Sequence, residues 1–219
     1  MISKHDLVLI VMCEEMSGNL VRLTKAEMEG CAKLLVDAFW EDPLNLYFIP
    51  VGENRRKLLN GYLKFRLRFA FQHGEVYSTS PDLEGIAAWF PPGMSDLTYF
   101  RLIRAGGLGL IRLLGLDTIS RMNRIASHAA ESRKQYLSEP HWHLFPIAVD
   151  PNHQGQGYAS VLMKPMLERI RSEGLPCFLE TQNEKNVPLY EHFGFKVIYE
   201  ETFPEAEIPN WGMVRSPIP

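Results

Sequence analysis

Net charge, cysteine and long apolar runs are all scarce in this 219-residue chain, and each shortage removes a class of function. The 23 Lys and Arg against 26 Asp and Glu leave a formal net charge of −3, without the basic excess that nucleic-acid binding draws on. The three cysteines, Cys13, Cys31 and Cys177, are too few and too far apart for a disulfide framework or a metal-ligand set, which suits a reducing cytoplasm. Cys177 sits in an apolar run, where a buried, inert thiol is expected. Leu7 to Met12 is apolar but far shorter than the roughly 20 residues of a bilayer-spanning helix, and no cleavage-site pattern follows it. The chain therefore reads as cytoplasmic, with no membrane and no nucleic-acid partner. Repeats and low-complexity segments are also missing.

What is present is an ordinary globular balance, 46% hydrophobic and 22% charged, with strand-like and helix-like segments alternating throughout. This predicts a single α/β domain over 19–219 after a loosely attached leader at 1–18. A strand at 20–23 leads into a Thr24/Glu27 capping box and a helix carrying Met28, Cys31, Leu34, Leu35 and Ala38. That helix stops near Pro43. The next helix spans 54–73, with Leu58, Tyr62, Phe65 and Phe69 on its apolar face, Arg55, Arg56, Lys64 and Arg68 off it, and Gly74 as its stop. Strands at 75–79 and 85–90 precede a helical insert over about 95–137, broken at Gly106-Gly107-x-Gly109. Its Arg101, Arg104, Arg112, Arg121 and Arg124 form either a solvated face or a wall over a binding site. Strands at 141–149, 175–180, 195–199 and 211–214 and helices at 161–172 and 188–192 complete the pattern.

The most informative stretch runs from Val149 to Met163, VDPNHQGQGYASVLM. An apolar strand ends in a tight polar turn, and Gln154-Gly155-Gln156-Gly157-Tyr158-Ala159 then opens a helix. Glycines let the backbone approach a ligand closely, and the first turn of a helix offers unpaired N–H groups with a partial positive charge. Together they form a cradle for phosphate. Tyr158-Ala159 stands where a P-loop needs Lys-Ser/Thr, and the loop comes far too late in the chain for a Rossmann fingerprint.

The Gln-x-x-Gly-x-Ala loop after a strand, followed by another apolar strand and Tyr190-Glu191-His192-Phe193-Gly194-Phe195, resembles the acyl-coenzyme A site of the GNAT superfamily of N-acetyltransferases. Within it the text at 142–163, 174–195 and 211–217 is most similar to the puromycin N-acetyltransferase-like group. The resemblance implies a mixed, mostly antiparallel α/β (α+β) sheet, splayed at the acyl-coenzyme A site and flanked by helices. It implies acetyl-coenzyme A as donor and a small-molecule primary amine as acceptor, with direct transfer in a ternary complex. By position, Ile147, Ala148 and Val149 would lie along the pantetheine arm, Ile147 and Val149 pairing with it. Gln154, Gly155, Gln156, Gly157, Tyr158 and Ala159 would hold the pyrophosphate, and Asn183 and Asn186 would touch the coenzyme. Pro146 cannot donate a ladder bond, which agrees with a strand that is partly unpaired.

Tyr190 matches the tyrosine that the family places near the thioester sulfur, where a protonated phenol can donate to the leaving thiolate. An incoming ammonium must lose a proton, and Glu180 and His143 are the candidate bases. Strand alternation puts His141, His143 and Phe145 on one face and Trp142, Leu144 and Pro146 on the other. Glu41 and Asp42 either attract a cationic amine or cap a turn. A covalent acyl-enzyme is disfavoured, because no Gly-x-Ser-x-Gly elbow is present and no cysteine has a sequence-near His partner. Two other readings stay open: a non-catalytic acyl-coenzyme A sensor, and a protein lysine or N-terminal acetyltransferase.

Overall fold

The computed structural model describes residues 20–96 and 98–217, with Tyr99 described by its backbone alone; the expected leader lies outside this range. Seven strands form one sheet in the order β1-β2-β3-β4-β5-β7-β6. In chain order the strands are β1 (Val21–Arg22), β2 (Glu75–Ser78), β3 (Gly85–Phe90), β4 (Trp142–Val149), β5 (Cys177–Thr181), β6 (Lys196–Phe203) and β7 (Ile208–Arg215). The helices are α1 (Met28–Ala38), α2 (Pro43–Phe48), α3 (Arg55–His73), α4 (Tyr99–Arg104), α5 (Gly107–Tyr136), α6 (Tyr158–Ser172) and α7 (Val187–His192). Every strand pairing is antiparallel except β4 with β5, so the fold is the mixed, mostly antiparallel one expected. Among the described residues no helix is long and apolar enough to cross a membrane.

Local chemistry sets the element ends. Thr24 and Glu27 form the expected capping box, with the Thr24 N–H donating to Glu27 Oε2 at 2.7 Å. Cys31, Ala32, Leu34, Leu35 and Val36 of α1 are buried, the spacing of one helix face. On α3 the buried set is wider than the expected stripe: Leu59, Leu63, Phe65, Leu67, Phe69 and Ala70 are buried, while Leu58 and Tyr62 are only half-buried. The reason is that α3 packs on α1 and α5 as well as on β2 and β3. Arg55, expected off the apolar face, is instead 1% exposed. Its Nε donates to the Ile49 carbonyl at 2.8 Å and its Nη2 to the Trp40 carbonyl at 2.7 Å, which makes its burial tolerable. The insert is α4 and α5, separated at Gly106, whose φ of +100° only glycine adopts freely.

The sheet separates two cores. Ile86, Ala88, Phe90 and Ala148 face α1 and α3. Ala87, Trp89, Trp142, Leu144, Leu179 and Tyr190 face the other way, with Leu162, Met163 and Met166 of α6. Between Ala87 and Trp89 the register against β4 shifts, because β4 advances from Ile147 to Leu144 over the same span. This bulge at Phe145–Pro146 reverses the alternation along β4, so His143 and Ala148 face the same side.

Gly212 shows how tightly the far half of the sheet is fitted. It pairs with Glu180 on β5 and with Tyr199 on β6. The Tyr199 ring crosses over Gly212 so that its hydroxyl donates to Glu180 Oε1 at 2.8 Å. A Cβ at residue 212 would lie 2.2 Å from that ring. Gly212→Ala should therefore cost roughly 1–3 kcal/mol, as overpacking usually does, and break the Tyr199–Glu180 bond. Urea unfolding of the variant checks the first effect.

Candidate functional site

The site begins where two strands part. β4 and β5 pair only at Trp142 with Cys177 and His143 with Phe178, and beyond these positions they diverge. The free edge of β4 can be assigned from its other side. The Asp150 N–H donates to the Glu84 carbonyl at 2.8 Å, and the Gly85 carbonyl accepts from the N–H of Thr79, just after β2. Antiparallel strands alternate their bonding direction. Ala148 therefore bonds toward β3, whereas Ile147 and Val149 turn their N–H and C=O groups into the gap. Of the three residues expected along the arm, Ile147 and Val149 turn backbone groups into the gap and Ala148 does not.

At the end of this edge lies the expected cradle. Gly155 and Gly157 have φ of +76° and +86°, and Gly157 caps α6, which starts at Tyr158, three residues earlier than the apolar spacing suggests. Among the described residues no backbone N–H from Gln154 to Ala159 has an intramolecular acceptor. The Gln154 side chain donates to the Val149 carbonyl at 3.3 Å, closing the loop onto the strand. An uninterrupted row of unpaired amides at a helix start fits a pyrophosphate.

The titratable groups lie on both faces of the opening. Glu180 accepts from Tyr199 and, at 3.1 Å, from Asn210 Nδ2. Burial raises its pKa, against the lowering effect of these two bonds. Asn210 is itself fully fixed: its Oδ1 accepts from Gln182 at 2.7 Å, and its Nδ2 also donates to Glu201 at 3.2 Å. Glu201 in turn accepts from Ser132 of α5 at 2.6 Å. His143 faces this side too, with its ring 5.1 Å from that of Phe178. Arg133 Nη1 lies 3.4 Å from His143 Nδ1 and can only donate, so Nδ1 accepts and the imidazole is neutral. Burial, then the Arg133 charge, hold its pKa well below the usual histidine value.

Tyr190 approaches from the opposite face, within the α6–α7 core. Burial pushes its phenol up to about 12, and its hydroxyl has no hydrogen-bond partner among the described residues. Asn183 caps the turn after β5 by accepting from the Lys185 N–H at 3.1 Å, and Asn186 donates to Thr181 Oγ1 at 3.3 Å. Asp42 caps α2 through the Asn45 N–H at 2.9 Å, and Glu41 is exposed; of the two readings of this pair, the structure shows the capping one for Asp42. Burial pushes the Cys177 thiol upward, which leaves it inert as a nucleophile.

Of the two readings of the insert's arginines, a solvated face or a wall, the structure shows none of them against Glu180 or His143. Arg121 donates to the Tyr47 carbonyl at 2.9 Å and Arg124 pairs with Glu205, while Arg104 and Arg112 are exposed. The residues of α5 that reach the site include Ser132 and Arg133, with His128 3.3 Å from Glu201 and the Tyr136 ring packed on Tyr199. Ser132, Arg133, Tyr199, Glu201 and Asn210 were not legible beforehand, because each meets the site only through a contact remote in sequence.

Comparison with known proteins agrees with this geometry. Residues 96–195, which include the amide row and Tyr190, match the Acetyltransferase (GNAT) family model. An uncharacterised N-acetyltransferase of Schizosaccharomyces pombe is 28% identical over 206 residues, spanning 90% of this chain and 82% of that protein. A Corynebacterium glutamicum structure described as histone acetyltransferase HPA2 and related acetyltransferase superposes with a TM-score of 0.64 at 20% identity, covering 92% of this chain and 97% of that one. Arylalkylamine N-acetyltransferase 2 of Aedes aegypti superposes at 0.63 with 12% identity, covering 90% and 98%. The family model spans a little under half of the chain, and the solved structures share its fold over about nine-tenths of it.

The neutral His143 makes a testable pH signature. Its folded pKa lies below its unfolded value near 6.5, so the folded state rejects a proton that the unfolded chain accepts. Its contribution is complete above that value and is lost as pH falls below it, by at most about 1.4 kcal/mol per pH unit. His143→Gln should lose less stability than wild type between about pH 7 and 5 in paired chemical-denaturation series.

Proposed function

We propose that this chain transfers an acetyl group from acetyl-coenzyme A directly to a primary amine of a small molecule, within a ternary complex. The observation that carries this reading is the opening between β4 and β5. It has along it a backbone edge that no strand pairs, an amide row at its end, a carboxylate on one face and an unpartnered phenol on the other. Acetyl-coenzyme A supplies the activated acyl group when bound. Gln154 to Ala159 hold its phosphates through backbone N–H groups, and Ile147 and Val149 pair with its extended arm as an added strand would.

The amine enters on the face of α3 and α5. Glu180 accepts its proton, directly or through a water, and its raised pKa brings a carboxylate closer to the neutral range in which a base works best. Glu180 suits this role better than His143, whose Nδ1 already accepts from Arg133. The backbone amides of the splayed strand polarise the carbonyl. As the carbon–sulfur bond breaks and the carbon–nitrogen bond forms, Tyr190 donates to the departing thiolate from the opposite face; at a pKa of about 12 it is fully protonated at neutral pH. Asn183 and Asn186 flank the coenzyme beyond β5. An arylalkylamine acetyltransferase with the same fold supports a small amine acceptor, and the wall formed by α5 argues the same way.

Thiol release from acetyl-coenzyme A, with a panel of amines that includes puromycin, polyamines and amino-sugars, tests the reading. Release that depends on one amine is expected; coenzyme binding without release across the panel would favour a sensor or a protein acceptor. Tyr190→Phe should lower kcat about 100-fold, within the range of an acid–base group, with coenzyme affinity unchanged. Glu180→Gln should lower kcat comparably and carry a second signature. The folded pKa of Glu180 is raised, so its favourable contribution is present below the ordinary value near 4.5 and is lost as pH rises through the folded pKa. Melting curves should therefore show the glutamine variant gaining on wild type from pH 4 to pH 8.

A further inference from the structure

An arginine without a counter-ion stands across the opening from Glu180. The pairing of His143 with Phe178 makes Phe145 and Glu180 the next residues on the α3 face, one on each lip of the gap. Arg66 of α3 lays its guanidinium over the Phe145 ring, 4.1 Å from the centroid. Among the described residues its one hydrogen bond is from Nη1 to the Tyr62 hydroxyl at 3.3 Å, and no carboxylate lies within ion-pair reach. The neighbouring cation on this face, Arg133, is by contrast held by Asp96 at 3.0 Å and by His143.

A guanidinium fixed over one ring with a single side-chain hydrogen bond keeps its remaining N–H donors open to an anion. The coenzyme phosphates assigned to Gln154 to Ala159 do not compensate it, because that loop lies beyond the far end of β4. A guanidinium also repels a second positive charge on the acceptor, so a diamine gains nothing here. A planar carboxylate or a phosphate, by contrast, accepts two parallel N–H bonds from the fork.

We propose that Arg66 binds an anionic group of the acceptor, so that the substrate is an amine that also carries a carboxylate or a phosphate. The anion sits at Arg66 on the β4 lip while the amine faces Glu180 on the β5 lip, with the scissile bond of the donor between them. This rests on the acyl-transfer reading above and narrows its acceptor class.

Matched amines separate the possibilities: tyramine against tyrosine and cadaverine against lysine for the carboxylate, ethanolamine against phosphoethanolamine for the phosphate. Thiol release should favour the anionic member of at least one pair by tenfold or more in kcat/KM. Arg66→Gln should erase that preference, a loss of roughly 10- to 100-fold expected for a charge-assisted hydrogen bond, and Arg66→Lys should restore part of it. Acetyl-coenzyme A affinity should be the same in all three proteins. Equal or better use of the bare amines by wild type would overturn the proposal while leaving acyl transfer intact, as would a preference that survives in a folded Arg66→Gln protein. If no pair is turned over, calorimetry of the same amines with the coenzyme A-loaded protein decides: selective binding of an anionic member supports the proposal, and its absence overturns it. Failure of acetyl-coenzyme A itself to bind would remove the acyl-transfer reading, and this proposal with it.

Discussion

Two strands that pair at two positions and then separate are the constraint on which the rest of this molecule depends. Backbone N–H and C=O groups are rarely left unpaired in a protein interior. A parallel pair that opens in mid-sheet therefore needs something to occupy the edge, and here Ile147 and Val149 present that edge. The Phe145–Pro146 bulge makes it possible, since proline donates no ladder bond and the local change of register reverses which side chains face α3. The glycine loop then stands directly at the end of the open edge. Strand separation and amide row thus form one continuous backbone surface, suited to a long ligand with phosphates at one end.

The same opening brings Glu180 and Tyr190 to one gap although they lie on opposite faces of the sheet. Glu180 belongs to the side covered by α3 and α5, Tyr190 to the side covered by α6 and α7, and a closed sheet would keep them apart. Glu180 is also held where it is. Tyr199 reaches it across Gly212, Asn210 reaches it along β7, and Glu201 with Ser132 ties that network to the insert helix. Burial raises the carboxyl's pKa while the two donors limit the rise.

How much of this could be read from the chain alone follows a physical division. The cradle was legible because all its parts are consecutive: glycines, a helix start and the strand before it. Tyr190 was legible through the segment around it. The capping box was legible because its two residues are three apart. The bulge was only hinted at by Pro146. What could not be read were contacts made across the fold. Arg133 reaches His143 from the insert, and Asn210 reaches Glu180 from a strand thirty residues away. Arg55 was misplaced for the same reason: helical spacing cannot reveal two carbonyl acceptors supplied by Trp40 and Ile49. Of the arginines singled out on the insert, Arg104 and Arg112 are exposed, as a solvated face would have them, whereas Arg133, which the spacing did not single out, reaches His143.

Residue-resolved amide hydrogen exchange, with and without coenzyme A, tests the open edge most directly. Exchange at Ile147 and Val149 and along Gln154 to Ala159 should slow when the coenzyme is added, while Ala148, already bonded toward β3, should change little. Unaltered exchange at Ile147 and Val149 in protein that demonstrably binds the coenzyme would contradict the assignment of the β4 edge as its docking strand.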